Sequence, residues 1–338
     1  MGIFQAGLLV PVAIGPVVGG ALSNSLGWRS IFWFLAIYSG VFLVFLMVLL
    51  PETLRALVGN GSVPGKGIIR KYPLAIFQQR HAKRSPLTLA QSTSGLPPKK
   101  PINILGSFQI LIDRRIVPII TFLAIYYSAW QMSITVLSAL FKTTYHLNDT
   151  QIGLTFIANG IGSMVGTIST GKILNIDYAK IRRKCETAAI VNGTPGEFKI
   201  PLDTARLRTV WIWSAMQMAS LLTFGWCLDQ HVHIAAPLLA TFATGWAAMA
   251  IQSMVSTYLV DVFPDRSASA SAAVNLARCL MGAGGTAAAM PILNAIGIGW
   301  GFTLIVGIMF AALGLVVLQI TFGKKWREQE EGRKKGDA

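Results

Sequence analysis

The sequence predicts an all-α, polytopic membrane helix bundle, and three observations lead there. Hydrophobic residues make up 53% of the 338 residues and charged ones 13%, with positive mean hydropathy, whereas water-soluble domains carry about a quarter of their residues as charges. The apolar residues gather into eight windows, each near the roughly 20 residues a helix needs to cross about 30 Å of hydrocarbon. The basic residues collect between those windows. A soluble α/β enzyme is excluded by this composition. The net charge of +15 sits in blocks between apolar stretches, which is a topology pattern and not a nucleic-acid footprint.

The windows cover residues 3–21, 31–50, 116–140, 152–174, 209–228, 236–260, 270–296 and 301–322. Lipid offers no partner for backbone N–H and C=O groups, so spans of this length read as helices and not as barrel strands. The first carries Pro11 and Pro16, each of which removes a backbone donor, so a kink is expected. It also carries Gly15 and Gly19, four apart on one face, and Gly20 beside them. Small residues at that spacing let another helix approach closely. Gly15, Pro16, Gly19 and Gly20 are therefore candidates for a close-packed, bendable gate element, with plain membrane packing as the alternative.

Between the second and third windows, residues 51–115 have Gly, Pro and Ser scattered among basic residues and read as a loop. Its Ser85, Ser92, Thr93 and Ser94 stand near basic residues, though an unmodified linker is the simpler reading. The third window holds Tyr126, Tyr127, Trp130 and Gln131. The fourth holds Asn159 among Gly153, Gly160, Gly162, Gly166 and Gly171. Gln217 lies in the fifth and Gln252 in the sixth. The seventh combines Gly282, Gly284 and Gly285 with a run of Ala and Ser.

Ionisable groups are expensive in hydrocarbon and face the bundle interior or water. Arg278, in the seventh window, is the single Lys or Arg deep in a predicted span, with Asn275 three residues before it on nearly the same face. Two readings stand for Arg278: a structural cation paired with helix carbonyls or a carboxylate, and a direct substrate contact. Tyr126, Tyr127, Trp130, Gln131, Asn159, Gln217, Gln252, Asn275 and Arg278 are the cavity candidates, since aromatics and amides bind an amphipathic solute by stacking and adaptable hydrogen bonds. Trp28, Trp33, Trp211, Trp300 and Trp326 fit interfacial anchors better.

Of the Lys and Arg residues in the connections and tail, 26 fall in 51–115, 172–208, 263–269 and beyond 322, against Arg29 and Lys142 in the other set. The positive-inside rule puts the long loop and C-terminus in the cytoplasm. No cleavable signal peptide is expected at Met1. Asn148-Asp149-Thr150 is a glycosylation acceptor on the outer side, but it sits close to two helix ends; Asn60 and Asn192 fall inside. Catalytic chemistry is not signalled, and no metal or cofactor site is expected. Cys185, Cys227 and Cys279 form no CxxC, His231 and His233 have no third ligand, and Gly297-x-Gly299 has no phosphate-binding context. Asp229 falls at an outer and Asp261 at an inner helix end, which leaves no carboxylate at the centre of a span for proton coupling.

Several ordered stretches resemble the major facilitator superfamily, and within it the fungal 12-spanner drug:proton antiporters of the quinidine-resistance and dityrosine-transporter branch. Gly15-Pro16-Val17-Val18-Gly19-Gly20 resembles the antiporter motif of helix five. Leu26-Gly27-Trp28-Arg29-Ser30-Ile31-Phe32-Trp33, then Leu50-Pro51-Glu52-Thr53-Leu54-Arg55 and Gly59-Asn60-Gly61-Ser62, resemble the succession through helix six. Gly171-Lys172-Ile173-Leu174-Asn175-Ile176-Asp177-Tyr178 is similar to the loop between helices eight and nine, with Asn175 where an acidic residue is common. Tyr258-Leu259-Val260-Asp261-Val262-Phe263-Pro264 and Asn275-Leu276-Ala277-Arg278-Cys279 are similar to segments of helices ten and eleven.

The resemblance implies a helix bundle of major facilitator type in which the eight windows are helices five to twelve. Residues 1–50 would be the last two helices of the N-terminal half, 51–115 the basic cytoplasmic central loop, 116–322 the C-terminal six-helix half and 323–338 a cytoplasmic tail. Helices one to four, with their ionisable residues, are absent from this correspondence. The implied function is export of a small organic molecule in exchange for protons by alternating access, in a multi-pass protein of the plasma membrane. Its partners would be the lipid bilayer, the substrate and protons, with no nucleic acid. The alternative is a truncated, transport-inactive fragment or accessory membrane protein. Polyspecific drug efflux, polyamine or dityrosine-like metabolite export and organic-acid export all fit such a cavity.

Overall fold

The computed structural model describes residues 2–49, 106–191, 206–263 and 266–336. Most of the predicted 51–115 loop, with Ser85, Ser92, Thr93 and Ser94, lies outside the described residues, as do Asn192 and the Trp326 side chain. Among the described residues every regular element is helical. The helices are α1 (Gly2–Leu26), α2 (Arg29–Leu49), α3 (Gly106–Leu111), α4 (Val117–Tyr145), α5 (Asp149–Val191), α6 (Val210–Asp229), α7 (Ala235–Val262), α8 (Ser267–Ile296) and α9 (Ile298–Gly336). Six of them, α2, α4, α5, α7, α8 and α9, contain stretches long and apolar enough to cross a membrane. Each of the eight apolar windows coincides with a helix, as expected where lipid leaves the backbone no other partner.

Three boundaries differ from the sequence reading. The segment 172–191, counted as a connection, continues α5 to a length of 43 residues. Ala, Lys, Arg and Glu are good helix formers, and Arg182 and Glu186 form an i,i+4 pair at 2.7 Å. Asn192-Gly193-Thr194-Pro195 supplies the first strong breaker sequence after it. The tail beyond 322 likewise extends α9 to Gly336. Within the predicted loop, residues 106–111 form the short helix α3.

The chain divides into two units, residues 25–104 and residues 1–24 with 105–338. In the first, α2 has no buried side chain. Phe34, Tyr38 and Phe42 stack along it at ring-centroid distances of 6.2 and 6.3 Å, and an apolar surface all round suits a helix solvated by lipid.

In the second unit the most extensive helix pairs are α5 with α7, α4 with α8, α6 with α7, and α9 with both α6 and α4. Lipid tails are as apolar as leucine, so association rests on close packing and hydrogen bonds more than on apolar burial. The α5–α7 seam shows this directly. A Cβ at Gly162 or Gly166 would strike the carbonyl oxygens of Phe242 or Trp246, and one at Gly245 would stand 2.5 Å from the Asn159 carbonyl oxygen. Around α4 the core is aromatic. Phe141, Phe224 and Phe302 link α4, α6 and α9 at 6.4 and 5.3 Å between ring centroids, and Gly225 leaves room for Phe302, which a Cβ would meet at 2.5 Å.

Candidate functional site

Two adjacent tyrosines of α4 have different fates, because neighbouring residues on a helix point about 100° apart. Tyr126 is turned into the core at 1% exposure. Its hydroxyl donates to the Met309 carbonyl of α9 at 3.2 Å, and its own carbonyl accepts from Gln217 Nε2 of α6 at 3.0 Å. Tyr127 is half-buried on a different side. Its ring lies 5.4 Å from that of Trp130, one turn on, and the Arg278 guanidinium of α8 stands 4.6 Å from its centroid. Gly282 makes this approach possible, since a Cβ there would be 3.1 Å from Tyr127 Cε1. Ser128 fastens the same two helices by donating to the Met281 carbonyl at 2.9 Å.

Trp130 packs with Ala248 and Met249 of α7 in a cluster separate from the main core, with Tyr127 and Ile134 against it. Gln252, half-buried, follows Ala248 and Met249 by one turn of α7 and so shares their face. Three buried polar atoms here have no hydrogen-bond partner among the described residues: Trp130 Nε1, Gln252 Oε1 and Arg278 Nε. The ion pairs of the described residues are Arg115–Asp113, Lys142–Asp149, Arg182–Glu186 and Arg206–Asp261. Arg278 belongs to none of them, so the carboxylate pairing considered for it is not what these residues provide; an aromatic face stands there instead.

The remaining cavity candidates divide. Gln131 is half-buried beside Trp130, and Asn275 is exposed on α8 one turn before Arg278. Asn159 and Gln217 sit in helix seams. Asn159, 4% exposed, donates from Nδ2 to the Thr241 carbonyl at 3.1 Å across α5 and α7. Gln217, 0% exposed, makes the α6–α4 bond to Tyr126. Trp211 and Trp300 are exposed, as interfacial anchors should be.

The Gly15–Gly20 stretch of α1 meets α5. A Cβ at Gly153 would stand 2.5 Å from the Pro16 carbonyl oxygen, and one at Gly20 would collide with the Asp149 carbonyl. Ser23 Oγ donates to Asp149 Oδ2 at 3.1 Å, and Thr150 Oγ1 donates to the Gly20 carbonyl at 3.5 Å. The close approach therefore uses Pro16 and Gly20. Gly15 and Gly19, whose spacing suggested the contact, have open space where a Cβ would be; the helix is turned by about one residue from the face that their spacing marked.

One cluster was missed by reading the sequence. Arg206, just before α6, is 8% exposed and donates from Nε to Asp261 Oδ2 of α7 at 2.8 Å and from Nη1 to the Leu174 carbonyl of α5 at 3.3 Å. Its guanidinium also lies 4.4 Å from the centroid of Tyr178. Asp261 and Tyr178 both stood in motif stretches, but Arg206 counted only as one charge among the positives. The arrangement ties the start of α6 and the end of α7 to the middle of α5 through one buried cation.

Nothing in these clusters resembles a nucleophile with its base, and no group of three or more His, Cys, Asp or Glu side chains suited to a metal occurs among the described residues. At the Arg278 cluster a cation, two aromatic rings and polar atoms without partners among the described residues come from three helices.

Comparison with known proteins agrees with this architecture. The profile of the Major Facilitator Superfamily matches residues 1–286. Citrate exporter 1 of Aspergillus niger is 33% identical over 100% of this chain and 64% of its own length. The MFS antiporter QDR1 of Candida albicans is 32% identical over 93% of this chain and 61% of its own length. The MFS-type transporter phiL of a fungal species is 31% identical over 96% of this chain and 78% of its own length. The chain thus spans 64% of the length of the citrate exporter it matches. Members of this family are transporters, not enzymes, that act within the membrane on small molecules. With the family profile covering most of its residues and its apolar helices matching that architecture, this chain is an integral, multi-pass membrane protein of the major facilitator superfamily.

Proposed function

We propose that the chain serves proton-coupled export of small organic molecules by alternating access, with its C-terminus in the cytoplasm of a plasma-membrane protein. Helices α1 and α2 act as the last two of an N-terminal half, residues 51–115 as the central loop, and α4 to α9 as the C-terminal half that moves against it. Tyr127, Trp130, Gln131, Gln252, Asn275 and Arg278 face the substrate pathway. Tyr126, Asn159 and Gln217 hold the helices that present them, while Pro16 and Gly20, flanked by Gly15 and Gly19, seal the α1–α5 contact. The observation that carries this reading is the Arg278–Tyr127–Trp130 cluster, because an ionisable group in an apolar span that has no counter-charge among the described residues points to a pathway. Relatives named as a citrate exporter and a multidrug transporter support the substrate class in its broad form.

The test is efflux from vesicles under an imposed pH gradient. Proton-dependent export that Arg278→Ala abolishes at unchanged membrane level is the expected result. Normal efflux from that variant removes Arg278 from the pathway. If vesicles holding only this chain show no proton-dependent efflux, the accessory or transport-inactive reading takes its place. Orientation is checked with impermeant thiol reagents on single cysteines placed beyond residue 322, which react from the cytoplasmic side.

A further inference from the structure

We infer that the side-chain cluster where α4, α7 and α8 meet selects organic anions, and that its ligand class is an aromatic or similarly flat carboxylate. The inference rests on the proposed pathway role of the same cluster and names what that pathway takes.

Its charge and hydrogen-bond inventory lead to this class. Trp130 is 5% exposed, and its indole nitrogen, which can only donate, has no acceptor among the described residues. Arg278 Nε is a second buried donor without an acceptor among the described residues. The Gln252 carboxamide carries an unpartnered Oε1, and either end of an amide can be turned to a ligand. Two of the three unmet groups are therefore obligate donors, one of them part of a full positive charge. A buried donor left unpaired costs free energy, and a buried guanidinium costs more. The group that satisfies both at once is an acceptor bearing negative charge. A carboxylate fits best, because a guanidinium binds it through parallel N–H donors.

The rest of the cluster sets the shape of the ligand. The Tyr127 and Trp130 rings stand 5.4 Å apart, centroid to centroid, and the second is backed by Met249 and Ala248. The half-buried Tyr127 ring, beside Arg278, suits a flat apolar body beside the anionic head. An organic cation finds the opposite arrangement. Arg278 would repel it, and no carboxylate of the described residues forms an ion pair with Arg278 that could offset that repulsion.

Three probes of one shape test the inference on the full chain purified in detergent micelles: benzoate, neutral benzamide and cationic benzylammonium. Binding is read as the rise in thermal midpoint with probe concentration. Benzoate is expected to bind saturably, benzamide about tenfold or more weakly, and benzylammonium not at all. Arg278→Gln should weaken benzoate by about tenfold or more and abolish the preference over benzamide. Arg278→Lys, which keeps the charge and guards against a folding failure, should retain part of that preference. Trp130→Phe should weaken benzoate several-fold, read as the ligand-induced rise above that variant's own ligand-free midpoint. Equal binding of benzylammonium and benzoate, unchanged benzoate affinity in Arg278→Gln, or no benzoate binding at millimolar concentration overturns the inference. Benzoate binding without proton-dependent efflux counts against the transport reading alone, and efflux of cations without benzoate binding counts against the anion reading alone.

Discussion

Gly153 brings the backbone of α5 against Pro16 of α1 so closely that a Cβ on Gly153 would stand 2.5 Å from the Pro16 carbonyl oxygen. Four residues further along α1, Gly20 repeats the approach against Asp149. The contact is backbone on backbone, with no flexible side chain to yield. The Ser23–Asp149 and Thr150–Gly20 hydrogen bonds flank the same crossing.

Adding a methyl group at that crossing should therefore separate the two helices. Gly153→Ala and Gly20→Ala are expected to lower stability by about 1–3 kcal/mol, the range for overpacked sites. Gly15→Ala and Gly19→Ala, where a Cβ meets nothing among the described residues, should change it by less than about 0.5 kcal/mol. Thermal unfolding of the four variants in micelles checks this, and a pattern in which Gly15→Ala is as damaging as Gly153→Ala would contradict the crossing described.

The contrast shows where the sequence is legible. Every long apolar window is a helix because the membrane leaves the backbone no alternative, and the length of a span can be counted. Rotation about the helix axis cannot be counted. The spacing of Gly15 and Gly19 marks a small-residue face, yet Pro16 and Gly20 have the same spacing one residue on, and only the partner helix chooses between them. Tyr126 and Tyr127 pose the same problem: identical side chains, one buried against Met309 and the other under Arg278. Helix ends beyond the membrane were obscured for another reason, since Lys172 to Glu186 combine charges that signal a loop with propensities that sustain a helix. Arg206 stayed hidden because its partners, Leu174, Tyr178 and Asp261, are 28 to 55 residues away in sequence.

Arg206 and Asp261 join through a 2.8 Å charge-assisted bond, with side-chain exposures of 10% and 29%. Breaking a fully buried pair from one side costs about 3–5 kcal/mol; partial exposure of Asp261 reduces that. Asp261→Asn and Arg206→Gln are each expected to destabilise the protein by about 1–3 kcal/mol. The double variant should lose less than the sum of the two, because neither charge is then left unmatched. Arg206→Lys should recover only part of the loss, since an ammonium cannot reproduce both the bond to Asp261 and the stacking on Tyr178. Denaturant titrations of the four proteins decide this, and strictly additive losses would show that the pair is not coupled.

Asn159 and Gln217 should behave as helix fasteners and not as substrate contacts. Each uses its amide to reach a carbonyl on another helix, at 3.1 and 3.0 Å, bonds worth about 0.6 and at most about 1.7 kcal/mol in membrane proteins. Asn159→Ala and Gln217→Leu are expected to lower the thermal midpoint while leaving the ranking of exported substrates as it is. A changed ranking at unchanged stability would move either residue into the pathway.

Tyr127 offers the sharpest division between ring and hydroxyl. Its ring face carries the Arg278 guanidinium at 4.6 Å, while no hydrogen bond from its hydroxyl is found among those of the described residues. A cation over an aromatic face is worth about 0.5–1 kcal/mol when exposed and about 2 or more when desolvated, so losing the ring should weaken substrate handling by about 2- to 30-fold. Tyr127→Phe keeps the face and should remain close to wild type in efflux. Tyr127→Ala frees the guanidinium, which then sweeps a wider range of positions and meets its ligand less often in the productive one. It should therefore raise the substrate concentration needed for half-maximal efflux more than it lowers the maximal rate. If Phe is as damaging as Ala, the hydroxyl is the working group, and the role assigned to the ring is wrong.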